Sequence, residues 1–274
     1  MTARQWLDAA TARLKKSGAP DARLDARWML ADALGVGLGF LMMRMEDVLA
    51  QDALAQMDEW LCARESGIPL QYAQGRAYFM GHEFLSDARA LIPRADTELL
   101  CEAAIERAGP NAPGVLDLCT GSGAIAISIA LARPDARVTA SDLSRDALLL
   151  AEENAARLNA RVTFVAGDFF EAVAGQRFDV IACNPPYLDQ ADMAHLQSEV
   201  AYEPALALDG GADGLDFYRR AAQALDAHLT RDGWALFEVG QGQARAVARL
   251  LGGECTILKD LGGIERVVAR RAIR

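Results

Sequence analysis

The 274 residues, 52% of them in the hydrophobic classes, suffice for one substantial core plus a small appended one, which predicts two domains. With 28 basic against 38 acidic residues the net charge is −10, and no Lys/Arg-rich stripe or added target-recognition domain offers a grip on phosphates, so stable nucleic acid binding is disfavoured. Cys62, Cys101, Cys119, Cys183 and Cys255 form no C-x-x-C pair and His82, His195 and His228 are isolated, which argues against a disulfide framework or any metal; the absence of an apolar signal core in Met1 to Trp6, or of a bilayer-length apolar run, predicts a soluble, cytoplasmic protein with no membrane partner.

Residues 1–74 show helical periodicity, with Leu7, Ala10 and Leu14, then Leu24, Trp28, Ala31 and Leu34, interrupted at Gly18-Ala19-Pro20 and around Gly35 to Gly39. They predict a small helical domain, suited to core packing and to clamping a substrate. Ala77 to Ile92 alternates aromatic and polar residues and predicts a β-hairpin, giving a linker over 75–92 before a larger domain at 93–274.

The larger domain begins with an apolar run, Val115 to Cys119, that leads into Thr120-Gly121-Ser122-Gly123 and a helical stretch to Arg133. Strand, glycine turn and helix in this order let a ligand approach the backbone at Gly121 and Gly123, while Ala126 permits close packing of helix on strand. A second strand, Ala136 to Ser141, ends at Asp142-Leu143, 21 residues after Gly121, where a carboxylate can accept both hydroxyl protons of a ribose. These glycines fit a nicotinamide enzyme as well as a methyl donor enzyme. Three features favour S-adenosylmethionine: Asp117 inside the first strand, where it or its neighbours can meet a cationic amino-acid tail; Asp168 and Phe169 after a third strand, Arg161 to Val165, as an acceptor and a stacking ring for adenine; and Asn184-Pro185-Pro186-Tyr187 closing a fourth strand, Phe178 to Cys183. Taken singly, Asp168 reads equally as a helix cap, Phe169 as core and Asp142 as a cap for the helix starting near Arg145.

Two consecutive prolines remove two backbone donors, and flanked by a carboxamide and a phenol they make a rigid acceptor array for a planar NH2 group. Leu188 to Gly214 is long for a connection and predicts a substrate-contacting lid, with Glu203 and a flexible Gly210-Gly211 as contact points. A helix, Leu215 to Leu229, a fifth strand, Trp234 to Val239, and a terminal hairpin pairing Thr256 to Leu258 with Arg266 to Arg270 complete the chain.

Leu91-Ile92-Pro93-Arg94-Ala95-Asp96-Thr97-Glu98, Asp117 to Ala126, Gly167 to Phe170, Asn184 to Tyr187, Tyr202-Glu203-Pro204 and Gly210 to Leu215 together resemble the release factor glutamine methyltransferases. Ala95 stands where this family usually has proline, and Cys119 where glycine is more common. Asp117 to Gly123 and Gly81-His82-Glu83-Phe84 are also similar to the sister family that methylates a glutamine of ribosomal protein L3; Asp96-Thr97-Glu98 and Gly263-Ile264-Glu265-Arg266 favour the release factor group. The resemblance implies an α/β fold, a class I seven-stranded Rossmann-like methyltransferase sheet with a helical N-terminal domain. It further implies methyl transfer from S-adenosylmethionine, leaving S-adenosylhomocysteine, to the glutamine amide nitrogen in the Gly-Gly-Gln loop of class 1 peptide release factors by a monomer. Cofactor contacts are then expected from Asp117, Cys119, Thr120, Gly121, Ser122, Gly123, Asp142, Leu143, Asp168, Phe169 and Asn184. The Asn184 oxygen and the Pro185 carbonyl would accept the substrate amide protons, with Pro186 beside them and Tyr187 packed on the amide plane. An adenine N6 methyltransferase is the alternative from another class, since that amine poses the same problem to the same four residues; it would need to flip its base and hold phosphates.

Overall fold

A computed structural model describes residues 1–111 and 113–273. The chain divides into two compact units, Met1–Gly75 with Gln197–Tyr202, and Arg76–Leu196 with Glu203–Arg274. The first unit is helical: α1 (Ala3–Ser17), α2 (Ala22–Ala33), α3 (Gln51–Glu65) and α4 (Leu70–Gln74). The Thr2 hydroxyl accepts from Gln5 N while the Gln5 side chain accepts from Thr2 N, a reciprocal cap, and Gly18 ends α1 in the left-handed region. Trp6, Leu7, Leu14, Met29, Leu30, Met57 and Leu61 share its core. Arg64 is buried there between Asp25, at 2.8 Å, and Glu199, at 2.5 Å.

The second unit opens with β1 (Arg76–Phe79) and β2 (His82–Leu85), joined by Met80-Gly81 with φ of 49° and 75°. Two successive left-handed residues make the tight turn whose twist matches a hairpin. The hairpin therefore ends at Leu85, short of the predicted Ile92, because the backbone beyond bonds elsewhere: Arg89 N donates to Asp87 Oδ1 at 3.0 Å, and Ile92 N to Glu203 Oε2 at 2.9 Å. The chain continues as α5 (Ala95–Arg107), β3 (Gly114–Leu118), α6 (Ala124–Ala132), β4 (Arg137–Asp142), α7 (Arg145–Leu158), β5 (Val162–Ala166), β6 (Phe178–Cys183), α8 (Gln190–Ala194), α9 (Asp216–His228), β7 (Leu229–Glu238), α10 (Ala244–Leu251), β8 (Cys255–Lys259) and β9 (Glu265–Arg271). Helices α5, α8 and α10 are additions to the sequence-based expectations. Ala95 is the first residue of α5, a position where proline is favoured because its missing N–H has no helical partner; alanine is well tolerated there.

Seven strands form one sheet in the order β5-β4-β3-β6-β7-β9-β8. The pairs from β5 to β7 are parallel, and β9 runs antiparallel between β7 and β8. Alternate residues feed opposite faces: Val115, Val180 and Leu236 pack with α5 and α6, whereas Leu116, Leu118, Ile181 and Phe237 pack with α9 and α10. Burial on both faces is why these strands read as continuous apolar runs. The winding reverses between β3 and β6, so their C-terminal tips open the crevice where ligands bind in such sheets. Among the described residues, no helix is long and apolar enough to cross a membrane, and no group of three His, Cys, Asp or Glu is placed to hold a metal.

Candidate active site

A cavity of about 330 Å³ opens at those tips, lying wholly within the second unit. It is lined by Cys119, Thr120, Gly121 and Ser122 after β3, by Asp142 and Leu143 at the end of β4, by Asp168 and Phe169 after β5, and by Asn184 and Pro186 after β6. Nine of the eleven residues expected at the cofactor are thus brought together; Asp117 and Gly123 are not in the lining.

Both absences have a physical cause. Asp117 is fully buried behind the turn, where its Oδ2 accepts from Thr120 Oγ1 at 2.6 Å and from Ala126 N at 3.1 Å. Burial pushes its carboxyl up to about 7, against the pull of those two donors, and among the described residues its Oδ1 has no partner. Asp117 therefore ties the turn to the start of α6, and contact with the cavity passes to its neighbours. At Gly123, with φ of 82°, an added Cβ would stand 2.9 Å from Ile127 Cδ1 and 3.0 Å from Ala151 Cβ. This glycine serves the packing of α6 on α7 rather than ligand approach. Gly121 does leave the backbone open, since a Cβ there would meet only Ala90, at 3.9 Å. Cys119 has φ of 58°, the left-handed region, which is the physical reason glycine is the commoner choice at this position.

The Asp142 carboxylate is half of the turn's frame: Oδ2 accepts from Gly121 N and Oδ1 from Ser144 N, each at 2.8 Å. Ser144, accepting from Ala147 N at 3.2 Å, caps α7, so Asp142 is left to face the cavity. Burial raises its carboxyl pKa, and these backbone donors oppose the rise.

Across the cavity Phe169, with φ of 53°, lies edge-on to Phe217, ring centroids 5.8 Å apart. Arg220 sits over both rings, at 5.2 Å and 5.7 Å, and is held by Asp168 Oδ1 at 2.8 Å. Asp168 occupies the first-turn boundary of the short helix Phe169–Val173 but makes no side-chain cap there. Phe217 and Arg220 were outside the sequence-based site; only the helical spacing of α9 hinted at them, and that spacing is equally a core pattern.

At the tip of β6, Asn184 Nδ2 donates to Thr97 Oγ1 of α5 at 3.2 Å. With the nitrogen turned inward, no donor among the described residues bonds the carboxamide oxygen, and Asn184 lines the cavity. Among the described residues no donor bonds the Pro185 or Pro186 carbonyl. Both prolines are buried, and Pro185 and Tyr187 stand outside the cavity lining. The Tyr187 ring packs beside Gly240, its carbonyl accepts from Gln243 Nε2 at 2.9 Å, and burial pushes its phenol up to about 12.

The long segment after Tyr187 differs from the expected lid in two respects. Glu203 is buried with both carboxylate oxygens occupied, Oε2 by Ile92 N and Oε1 by Arg94; it is outside the cavity lining and holds two residues that belong to it. Gly210 and Gly214 are packing residues: a Cβ on Gly210 would stand 2.8 Å from Tyr187 Cα and 2.9 Å from Pro186 O, and one on Gly214 would stand 2.3 Å from Tyr187 O. They brace the backbone of the acceptor array. Pro204, Leu206 and Ala207 of the same segment do reach the cavity.

A carboxylate placed for a vicinal diol, an aromatic wall, an open glycine turn and an acceptor tip within one cavity fit S-adenosylmethionine, and with this sheet order they define a class I methyltransferase. The family models agree: residues 5–75 match the PrmC N-terminal domain, and residues 95–209 the methyltransferase small domain. A crystal structure of a methyltransferase from Pyrococcus furiosus shares the fold, with a TM-score of 0.53 at 15% identity over 82% of this chain and 100% of that one. The release factor glutamine methyltransferase of Geobacter sulfurreducens is 42% identical over 98% of this chain and 96% of its own. That of Moorella thermoacetica is 40% identical over 97% of each. The chain belongs to the release factor glutamine methyltransferase family.

Proposed function

We propose that the chain transfers the methyl group of S-adenosylmethionine to the side-chain amide nitrogen of the glutamine in the Gly-Gly-Gln loop of class 1 peptide release factors, in the cytoplasm and as a monomer. The observation that carries this reading is similarity along the whole chain to release factor glutamine methyltransferases, helical unit included. A net charge of −10 disfavours the nucleic acid alternative.

Thr120 to Ser122 and the Asp142 carboxylate hold the cofactor's amino-acid and ribose parts, and Asp168 and Phe169 its adenine. When bound, S-adenosylmethionine supplies an electrophilic methyl group on a sulfonium. An amide nitrogen is a weak nucleophile because its lone pair is delocalised into the carbonyl. Acceptors on both amide protons localise that pair and aim it. Asn184 Oδ1 and the Pro185 carbonyl are those acceptors, and Tyr187 packs against the amide plane. Positioning of this kind is worth on the order of 7 to 11 kcal/mol. The methylated amide nitrogen is cationic and strongly acidic, so its extra proton passes to water after the transfer, and no charged general base is required before it.

Labelled methyl transfer tests the reading against purified class 1 release factor, its Gln-to-Ala loop variant, ribosomal protein L3 and unmethylated DNA. Label is expected on the release factor alone and lost with the loop glutamine; label on L3 or DNA would move the substrate assignment to a sister group. For the adenine subsite, Phe169→Leu keeps apolar bulk and loses the ring face. Affinity for S-adenosylhomocysteine, read by calorimetry, is expected to fall about tenfold, the weaker end of an aromatic stack worth roughly 1–3 kcal/mol. Unchanged affinity would remove Phe169 from that subsite.

A further inference from the structure

Glu238, the last residue of β7, lies behind the acceptor array and outside the cavity lining. Its side chain is buried and Oε2 has no hydrogen-bond partner among the described residues. Cys183 pairs with Phe237 across β6 and β7, which sets Asn184 and Glu238 side by side at the ends of adjoining strands, and Thr97 and Asn184 both favour the charged form of the Glu238 carboxylate. Thr97 is also the residue whose Oγ1 accepts from Asn184 Nδ2.

The two ends of a carboxamide have nearly the same shape, so only their partners decide which end faces the cavity. A hydroxyl cannot decide, because it both donates and accepts. An ionised carboxylate can, because it only accepts. With Glu238 at the end of the chain, the Thr97 proton is drawn toward the carboxylate, the Thr97 oxygen is left as an acceptor, and Asn184 must present Nδ2 inward. The reverse orientation would aim an NH2 group at the nitrogen end of the substrate amide, which offers only N–H donors.

We propose that Glu238 is a positioning residue for methyl transfer, acting through Thr97 to keep the Asn184 oxygen turned toward the reacting amide. This rests on the assignment of Asn184 as an acceptor for that amide. The arrangement has a pH signature. Burial raises the Glu238 carboxyl to about 7; Asp96 on α5 pushes the same way, while Arg266 on β9, Thr97 and Asn184 oppose it. Arg266 itself is held by Asp96 at 2.7 Å and Asp260 at 2.9 Å, the Glu238 charge raises the phenols of Tyr187 and Tyr218, and the Tyr218 hydroxyl donates to the Glu238 main-chain carbonyl at 2.7 Å. The carboxylate loses its accept-only character once protonated, so the chain is ordered above the midpoint and loses its polarity below it. Turnover should therefore fall as pH drops through about 7.

The test is single-turnover methyl transfer to release factor by the full chain across the neutral pH range, with S-adenosylhomocysteine affinity measured in parallel. Glu238→Gln, which carries its own NH2 group, and Thr97→Val are each expected to lower the rate constant at least about tenfold, the scale of one lost oriented hydrogen bond, with product affinity unchanged. Thr97→Ser should restore the rate, and Glu238→Gln should abolish the acid limb. Because Asp117 titrates in the same range, an acid limb that survives in Glu238→Gln, at near-normal rate, would overturn the proposal. Should Glu238→Gln fail to fold, a normal rate in Thr97→Val would overturn it equally. If Asn184→Ala keeps its turnover, the underlying assignment of Asn184 fails instead, whatever Glu238 does.

Discussion

Replacing Asn184 with alanine is expected to lower the rate constant for methyl transfer by about 10²–10³, the loss of roughly 2.7–4 kcal/mol that follows removal of one preorganised hydrogen-bonding group from a reaction centre. The side chain is held from behind by Thr97, so it costs no reorganisation when the amide arrives. Its removal also frees the Thr97 hydroxyl, but that group remains next to Glu238 and the fold should survive. Because Asn184 is one of many residues around the cofactor cavity, affinity for S-adenosylhomocysteine should change far less than the rate. Rapid-quench turnover and calorimetry on the same preparation check both parts. Near-normal turnover with intact cofactor binding would show that Asn184 is not an acceptor for the reacting amide.

Gly214→Ala should damage both stability and chemistry. The position has φ of 72°, and a Cβ would stand 2.3 Å from Tyr187 O and 2.6 Å from Gln243 Nε2. The first of these is backbone and is itself fixed by Gln243, so relief requires moving the acceptor array. A left-handed alanine costs about 1–2 kcal/mol and overpacking a further 1–3, together roughly 2–5 kcal/mol. For a unit of this size that is a fall in Tm of about 5–15 °C. Gly175→Ala is the control, because it has φ of 77° and no atom within 4 Å of the added Cβ. It isolates the conformational cost and should leave turnover intact. Equal Tm values for the two variants, both fully active, would contradict the close approach at Gly214.

The same contrast separates what was legible in the chain from what was not. Each of β3, β4, β5 and β6 begins within one residue of its predicted start, because strands buried on both faces must be apolar runs and the turns that end them carry glycine, Asp or proline. Those requirements are local. They located Gly121, Asp142, Phe169 and Asn184 at successive strand tips, and four tips at one end of a parallel sheet must converge. The hairpin's true length was not local, since the backbone after Leu85 finds its partners in Asp87 and Glu203, the latter 111 residues beyond Ile92.

By itself, then, the sequence determined the central strands, the glycine turn after β3 and the Asn-Pro-Pro-Tyr tip of β6, all of which follow from periodicity and backbone geometry over a few neighbours. Only the tertiary structure decided the state of the polar groups. Asp117 and Glu238 are carboxylates at the ends of apolar strands, and nothing in their neighbours tells whether such a group meets a ligand, a hydroxyl or no partner at all. Thr97 and Asn184 stand 87 residues apart and meet because α5 packs on the sheet beside β6. Gly210 reads as flexible, yet a Cβ there would stand 2.8 Å from Tyr187 Cα and 2.9 Å from Pro186 O, a clearance that only glycine tolerates. Burial, partner and clearance are properties of the assembled fold, and they set the orientation of the Asn184 carboxamide.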